Sequence, residues 1–382
     1  MQGFVKKISL SIVLACSLFF VFCSNSELYS ESSGDDFRYV EWTWVPYDSD
    51  LLRISGRTNY EKGDFVVLSW SASSVTVAFV GTALEAKIWT NDLLYLDVFL
   101  DEEENPSSLI KTDYSGDSAF IVPVVSSLPY GKHVVTLYKR IGSNLADWYF
   151  YGFRVLGRAE KELLPKPFDR KIEFVGNSIA CGSDVLIPDP EQESDLVYES
   201  AYYSYVGQTA RILKAEAHNI CSGGHGVYIN YDGSTAQRLP IVYNRTGTQA
   251  LSAVAWDHDK WHPDAVVINL GTNDFASGRN DSAHFVDATV DFVRHIRSYH
   301  PSAKIVLLDG PMLTGDFMVK CRQYLEVAKK VLEGEGVKDL YRFSFDPRGE
   351  SLYGVYFHPT KDEALADAES LSAWMRSEFG WD

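Results

Sequence analysis

The 382-residue sequence is poor in basic residues, and this deficit excludes one large class of partner. Its 35 Lys and Arg are outnumbered by 52 Asp and Glu, which gives a formal net charge of −17 at pH 7. Proteins that bind nucleic acid need a basic surface to neutralise phosphates and release counterions. We therefore expect an acidic protein that has no nucleic-acid partner.

Cysteine is also scarce, with five in the whole sequence. Beyond the first two dozen residues only Cys181, Cys221 and Cys321 are left, and their spacing does not match a zinc site. We predict that these three are small buried residues and do not form a disulfide framework. His258 and His262 stand four residues apart, but no third ligand is evident, so we interpret them as a structural pair. We expect no bound metal and no cofactor.

Residues 1–25 have the pattern of a secretory signal, in which two lysines precede an apolar run that ends at Phe22. Cys23 or Cys16 could carry the lipid of a lipoprotein, although neither lies in a typical lipoprotein signal, and simple cleavage near residues 24–26 fits equally well. The apolar run is short for a membrane span. We expect an exported protein, secreted, periplasmic or attached to the cell surface as a lipoprotein, whose sole membrane contact is a possible N-terminal lipid anchor.

Hydrophobic and aromatic residues are plentiful, at 46% and 14% of the sequence, which is enough for two packed domains. Residues 36–158 contain about seven short runs rich in β-branched and aromatic residues, separated by turn residues. Within this region "SSVTVAFVGT" and "LEAKIWT" are interpreted as two separate strands. The pattern predicts an N-terminal antiparallel β-sandwich that resembles a jelly roll. Charge and two prolines at residues 157–171 mark the junction with the next domain.

Residues 168–382 alternate between strand and helix patterns. The strands "IEFVG", "DAVVINLG" and "AKIVLLDG" are continuous apolar runs, as expected when helices cover both faces of a sheet. The last helix is predicted to begin after Thr360, which forms a capping box with Glu363. These features predict a three-layer α/β domain with a mostly parallel sheet.

Polar residues and glycines follow the strands of this second domain, at the edge where ligands of parallel sheets bind. Ser178 follows "IEFVG", a glycine cluster follows the strand that ends "NIC", Asn273 follows "VVINLG", and His358 precedes the final helix. Each of these alone is common in ordinary turns. Together they supply a nucleophile, hydrogen-bond donors and a base, which is the set that ester hydrolysis requires.

The segments "FVGNSI", "SGG", "LGTND" and "FHPT" resemble the four sequence blocks of the SGNH (GDSL-type) hydrolase superfamily. The strand-rich N-terminal domain makes the whole chain similar to carbohydrate esterase family 2. The resemblance implies that Ser178 is the nucleophile and His358 the base. It also implies an oxyanion hole formed by the Ser178 N–H, the Gly224 N–H and the Asn273 side chain, with Gly223 as the alternative glycine.

The sequence departs from the superfamily pattern at two places. Asn177 precedes the nucleophile where the superfamily usually has Asp, and Val355 and Tyr356 stand where the acid before the histidine is usual. Some members of family 2 work with a Ser-His dyad whose histidine is oriented by a backbone carbonyl. We therefore predict a dyad with slower turnover, because a neutral group stabilises the imidazolium less than a carboxylate does.

The resemblance implies an exported carbohydrate O-acetyl esterase that removes acetyl groups from a polysaccharide or oligosaccharide without a metal. Tyr231 could stack on a sugar ring at the site, although a buried core tyrosine fits its surroundings equally well. Two alternatives stay open at this point. One is a lipid or aryl esterase of the same superfamily, and the other is a catalytically inactive glycan-binding surface protein.

Overall fold

The computed structural model describes residues 26–30 and 37–381, apart from residues 62, 102, 114, 115, 117, 190, 250–253, 277–281 and 347–353. The predicted signal segment, residues 1–25, lies outside the described residues. Of the helices in the described part, none is both long enough and apolar enough to cross a membrane.

The N-terminal region is built from antiparallel strands, which confirms the predicted architecture. Eleven strands in the described residues are connected by hydrogen bonds around a buried apolar core. They are β1 (Ser26–Ser30), β2 (Phe37–Pro46), β3 (Leu52–Ser55), β4 (Thr58–Asn59), β5 (Val66–Leu68), β6 (Ser74–Thr90), β7 (Leu94–Leu100), β8 (Ser108–Thr112), β9 (Phe120–Val125), β10 (Gly131–Lys139) and β11 (Trp148–Ala159).

Strand β6 is a single strand of 17 residues, where the sequence suggested two. Gly81 lies at its centre and faces Gly157 of β11, at a point where the register between the two strands shifts. A Cβ on Gly81 would lie 2.2 Å from the carbonyl oxygen of Leu156, so only glycine allows the strands to approach this closely. Gly81 is therefore a close-approach position at a bulge inside a continuous strand.

The C-terminal region is a parallel sheet covered by helices on both faces, as predicted. Its strand order is β13-β12-β14-β15-β16, and every neighbouring pair is parallel. The strands are β12 (Arg170–Gly176), β13 (Ala215–Cys221), β14 (Ala265–Asn269), β15 (Lys304–Asp309) and β16 (Leu340–Ser344). The helices are α1 (Ser178–Cys181), α2 (Tyr205–Ile212), α3 (Leu239–Val242), α4 (Thr272–Phe275), α5 (Ser282–Tyr299), α6 (Gly315–Gly334) and α7 (Lys361–Phe379).

Successive side chains of the central strands enter two different apolar cores. Val266 and Ile268 of β14 pack with α5 and α6, whereas Val267 packs with α2 and α7 on the opposite face. This explains why β14 is a continuous apolar run, since both of its faces are buried. The carboxyl ends of β12, β13 and β14 lie side by side in the sheet, and the segments that follow them therefore meet at one edge.

A buried ion pair joins the two regions. Arg57, in the turn between β3 and β4, donates from Nη2 to Glu173 Oε2 of β12 at 2.8 Å, and both side chains are almost fully buried. The Tyr243 hydroxyl donates to the other oxygen of Glu173, and the Arg57 guanidinium lies over the Tyr243 ring. Both carboxylate oxygens of Glu173 therefore have hydrogen-bond donors, which is the condition under which a buried carboxylate is tolerated.

Replacing Arg57 by Met is expected to destabilise the protein by about 3–5 kcal/mol, because Glu173 is then left as an uncompensated buried charge. Urea unfolding followed by tryptophan fluorescence measures the change. Arg158→Met is the matched control, since Arg158 pairs with Glu160 on the surface, and it should have little measurable effect. Equal stability of Arg57→Met and the wild-type protein would contradict this role for the pair.

Candidate active site

Ser178 lies at the first position of α1, directly after the end of β12. Asn177 caps this helix, since its side-chain oxygen accepts a hydrogen bond from the Ile179 N–H at 3.2 Å. Gly176 is required just before it, because a Cβ there would lie 2.6 Å from Ala180 Cβ. The asparagine that replaces the usual aspartate therefore still holds the serine turn, because Asn and Asp are both good N-cap residues.

His358 lies next to Ser178, at 2.9 Å from its Nε2 to the serine Oγ. A 3-10 turn, Val355–Phe357, leads into the histidine, and Tyr356 and Phe357 in this turn have left-handed backbone conformations with φ of 51° and 64°. After it, the predicted capping box of Thr360 and Glu363 fixes the start of α7. The distance is that of a hydrogen bond, so His358 can take the Ser178 proton directly.

Asn273 lies in α4, one turn beyond the end of β14, and its side chain is 7% exposed. Its Nδ2 donates one hydrogen bond to the His225 carbonyl at 2.8 Å. An amide nitrogen has two hydrogens, and the role of the second in the oxyanion hole stays a prediction. Gly223 lies beside the nucleophile, since a Cβ on it would be 4.0 Å from Ser178 Cβ, while Gly224 has a φ of 76° and open space around it. The assignment of Gly224 to the oxyanion hole stays a prediction, with Gly223 as its alternative.

Asp274 is a site residue that the sequence analysis missed. Its buried carboxylate accepts hydrogen bonds from three consecutive N–H groups, those of Val227 (3.1 Å), Tyr228 (2.7 Å) and Ile229 (3.0 Å). Burial raises the pKa of Asp274, and these three donors oppose the rise. Asp274 therefore fixes the glycine loop against the segment that carries Asn273. The adjacent polar pair "ND" after an apolar strand was the signal that could have indicated it.

Cys181 and Cys221 form a disulfide, so the prediction that they are separate buried residues is wrong. Gly176 and Cys221 are register partners at the ends of β12 and β13, and Cys181 follows one helical turn later. Sequence spacing could not show this, because the pairing depends on which strands are neighbours. Cys321 is free and buried, as predicted. The bond joins the helix that begins at Ser178 to the strand that leads into the glycine loop.

Replacing both Cys181 and Cys221 by Ser is expected to lower the free energy of unfolding by about 4 kcal/mol, from the loop entropy of a 40-residue separation. We also expect a lower kcat, because the serine helix and the glycine loop lose their covalent connection. Calorimetry and initial rates on p-nitrophenyl acetate measure the two effects. Cys321→Ala is the matched control, as it removes a buried cysteine that forms no bond. The same loss in both variants would show that the disulfide has no special role.

The structure differs from the predicted dyad at the second ring nitrogen of His358. Nδ1 forms no hydrogen bond within the described residues, so the expected backbone carbonyl acceptor is not found there. Instead the Asp184 carboxylate lies close to it, with 3.3 Å between Nδ1 and Oδ2. Asp184 follows the nucleophile by six residues, and the usual acid position just before the histidine gave no indication of it.

Tyr231 is exposed over 62% of its surface, so it is not a core tyrosine. It lies in a polar cleft of about 430 Å³ that is also lined by Gly223, Gly224 and Asn144. Its backbone N–H donates to the Gly224 carbonyl at 2.8 Å, which ties it to the glycine loop. Its role in binding substrate stays a prediction.

His258 is buried away from this cleft, with Nδ1 3.3 Å from His300 Nε2 and Nε2 3.3 Å from Asn244 Oδ1. Burial and the nearby Arg57 charge lower the pKa of His258 to about 2. His262 lies farther from His300, with 6.3 Å between the two ring centroids. Across the described part of the chain, no group of three or more His, Cys, Asp or Glu side chains is arranged to hold a metal ion.

Two family models match the chain in the order of its two regions. The model described as "Carbohydrate esterase 2 N-terminal" matches residues 54–167, and that of the "GDSL-like Lipase/Acylhydrolase family" matches residues 174–362. A solved family two carbohydrate esterase from Clostridium thermocellum, in complex with cellohexaose, is 32% identical with a TM-score of 0.81 and covers 87% of this chain and 100% of its own. The chain belongs to carbohydrate esterase family 2.

Two relatives extend this comparison. The cellulase/esterase CelE of Acetivibrio thermocellus is 32% identical over 336 residues, which are 87% of this chain and 40% of CelE. The chain thus spans less than half the length of that relative. An acetylxylan esterase / glucomannan deacetylase of Cellvibrio japonicus is 26% identical over 375 residues, covering 97% of this chain and 98% of the relative. The predicted family and two-domain architecture are confirmed, and membership of this family supports an esterase with a serine nucleophile.

Proposed function

We propose that the protein is an exported esterase that removes O-acetyl groups from polysaccharides or oligosaccharides. The observation that carries this proposal is the 2.9 Å contact between Ser178 Oγ and His358 Nε2, beside the Asn273 amide and the glycine loop. These groups can supply a nucleophile, its base and the donors of an oxyanion hole. The resemblance of the chain to enzymes named for acetylxylan and glucomannan supports a carbohydrate ester as the substrate.

In the proposed reaction Ser178 Oγ attacks the acetyl carbonyl carbon while its proton moves to His358 Nε2. The negative charge that develops on the carbonyl oxygen is stabilised by the Ser178 N–H, the Gly224 N–H and the Asn273 amide. His358 then gives its proton to the sugar oxygen, the ester bond breaks, and an acetyl-serine remains. A water molecule then attacks the acetyl carbonyl carbon while its proton moves to His358 Nε2. His358 gives that proton to Ser178 Oγ, and acetate leaves. These groups complete the reaction without a metal.

The surface around Ser178 suits a sugar chain better than a long acyl chain. Tyr231, Tyr356 and Phe357 each expose more than half of their surface, and aromatic faces of this kind stack on sugar rings. The cleft beside the glycine loop is lined by polar side chains, among them Asn144, Asn230 and Gln237. Such side chains pair with hydroxyl groups. Both observations favour a glycan over a lipid, and we assign Tyr231 to the substrate-binding residues on this ground.

Export rests on two independent features. Residues 1–25 have the pattern of a secretory signal. The Cys181–Cys221 disulfide supports the same location, because disulfides persist in oxidising compartments. The proposal includes both processing routes for the signal, simple cleavage near residues 24–26 or a lipid at Cys23 or Cys16.

The function is tested by measuring acetate released from acetylated glucomannan and acetylated xylan, beside release of p-nitrophenol from the acetate and octanoate esters. The proposal predicts acetate release from at least one polysaccharide, insensitivity to EDTA, and a strong preference for the acetyl ester. Preference for the octanoate would indicate a lipid or aryl esterase. Glycan binding without any hydrolysis would indicate an inactive binding protein.

A further inference from the structure

The catalytic histidine has one ring nitrogen with a partner and one without. Nε2 of His358 contacts Ser178, whereas Nδ1 is buried and forms no hydrogen bond within the described residues. A buried polar atom that lacks a partner is costly, so such atoms are rare in folded proteins. The side chain that faces Nδ1 is Asp184, with its Oδ2 at 3.3 Å. This separation is within hydrogen-bond range, and a small rotation that aligns the Nδ1–H with Oδ2 would give a charge-assisted hydrogen bond.

The position of Asp184 is fixed by the same turn that presents Ser178. The Ser183 N–H donates to the Ser178 carbonyl at 3.0 Å, and the Ile187 N–H donates to the Asp184 carbonyl at 3.0 Å. The Ser194 hydroxyl donates to Asp184 Oδ1, which leaves Oδ2 facing the histidine. The side chain is 6% exposed, so water does little to screen its charge.

A second carboxylate near His358 is already occupied. Glu199 is buried and accepts hydrogen bonds from the Gly142 N–H at 2.6 Å and the Ser183 hydroxyl at 2.8 Å. Burial raises the pKa of Glu199, while these bonds and the charges of Lys139 and His358 oppose the rise. Because both of its oxygens are bonded to the loops around the site, Glu199 acts on the histidine only at a distance.

We propose that Asp184 is the positioning residue of His358, with Oδ2 accepting the Nδ1 proton in the working enzyme. This inference rests on the proposed esterase function. Asp184 then stands in place of the predicted backbone carbonyl. It also takes the role of the acid that is absent at Val355 and Tyr356. When Nε2 receives the Ser178 proton, the ring becomes an imidazolium beside the ionised Asp184. Asp184 keeps its charge throughout, and the proton leaves from Nε2 to the sugar oxygen.

The 3.3 Å separation between Nδ1 and Oδ2 agrees with this role. Catalytic hydrogen bonds are often long or poorly aligned before the reaction and tighten in the transition state. Holding the ring through Nδ1 also fixes the tautomer in which Nε2 is free to accept a proton. An acid that follows the nucleophile in the chain can therefore orient the histidine in the same way as an acid that precedes the histidine.

The test is Asp184→Asn, assayed on p-nitrophenyl acetate across the pH range. Asp184 has a left-handed backbone with φ of 57°, which asparagine tolerates, so the variant is expected to fold with an unchanged melting temperature. We expect kcat to fall about 10- to 100-fold with KM within about threefold. The acid limb of the kcat/KM profile should move to lower pH, because the imidazolium loses the charge that stabilises it.

Two further variants separate catalysis from structure. Asp195→Asn makes the same change at an exposed carboxylate that caps a nearby 3-10 turn, and it should leave the rates unchanged. Ser194→Ala removes the bond that orients Asp184 and should give an intermediate loss of kcat. Wild-type kcat in Asp184→Asn would overturn the inference. So would a loss of activity that comes with a lower melting temperature and an unmoved acid limb.

A second assay separates this inference from the proposed function. It measures the rate at which diisopropyl fluorophosphate labels Ser178. In that reaction Oγ bonds to phosphorus, fluoride leaves, and His358 takes the proton, so no acetyl ester is involved. Slower labelling of Asp184→Asn than of wild type supports the inference even if acetyl esters are not the substrate. Equal labelling rates in the two proteins would overturn the inference alone. Absence of labelling in the wild-type protein would overturn the proposed serine mechanism, and the inference with it.

Discussion

Replacing Ser178 by Ala is expected to lower kcat/KM on p-nitrophenyl acetate by about 10⁴- to 10⁶-fold, with the protein still folded. The hydroxyl is the atom that His358 contacts at 2.9 Å, and no other group in the proposed mechanism can form the acetyl-enzyme. The residual rate would come from the oxyanion donors and from binding alone. Initial rates with the purified protein and its variant, corrected for spontaneous hydrolysis, give the ratio.

Ser183→Ala is the matched control for this substitution. Ser183 lies in the same turn, but its hydroxyl donates to Glu199 and does not contact His358. We expect this variant to lose stability and to keep most of its activity. Equal activity of Ser178→Ala and the wild-type protein would remove the serine mechanism from consideration for this chain. Glycan binding that survives in both would then favour the binding-protein alternative.

Replacing Asn273 by Ala is expected to lower kcat by about 10²- to 10³-fold, or about 3–4 kcal/mol of barrier, with little change in KM. The amide hydrogen that His225 does not use is the one proposed for the oxyanion, whose charge develops only in the transition state. Steady-state kinetics on the acetyl ester separate kcat from KM. Asn273→Asp keeps the size of the side chain, removes the donor and adds a negative charge, so its loss should be at least as large.

A half-buried asparagine outside the proposed oxyanion hole serves as the control for structural effects of the Asn273 substitution. The Asn244 side chain contacts His258 and His295, away from the catalytic serine. Asn244→Ala should lower the melting temperature while leaving kcat within about threefold of wild type. A change in KM alone for Asn273→Ala would mean that the amide binds substrate and transition state equally, which contradicts its place in the oxyanion hole.

The parts of the site that could be predicted from the sequence are those that follow directly from strand ends. Ser178 and Asn273 come just after apolar strands, and parallel strands place their carboxyl ends at one edge. His358 could be placed by the capped helix that follows it. The resemblance to the SGNH blocks then gave each of these residues a role, and the structure brings Ser178 and His358 into contact.

The parts that could not be predicted depend on loop paths and on strand order. The Cys181–Cys221 disulfide forms because β12 and β13 are neighbours, although 40 residues separate the two cysteines. Asp184 reaches His358 because the turn that carries Asp184 folds back beside the nucleophile. The chain between Asp184 and His358 is so long that the sequence alone does not predict this contact. In the N-terminal region β6 was interpreted as two strands, because sequence cannot distinguish a close-approach glycine such as Gly81 from one that ends a strand.

Together these contacts explain how a small loop can be held rigid at the edge of a sheet. The glycine loop is anchored by the disulfide at its start and by the Asp274 carboxylate at Val227–Ile229. The Asn273 amide holds the middle of the loop at the His225 carbonyl. Donors that are fixed before the substrate arrives stabilise a transition state without the cost of reorganisation. The loop is therefore preorganised by a disulfide bond and by hydrogen bonds with the Asp274 carboxylate and the Asn273 amide.

The central claim is that Ser178 carries the acetyl group during the reaction, and it is tested most directly by acid-quenching the protein within its first turnovers on p-nitrophenyl acetate. The phenol is a good leaving group, so acetylation should be faster than deacetylation and the acetyl-enzyme should accumulate. Mass spectrometry of the digested protein is predicted to find one acetyl group on the peptide that contains Ser178, and none in Ser178→Ala. Hydrolysis at the full rate with that peptide unmodified, or with the alanine variant fully active, would contradict the account.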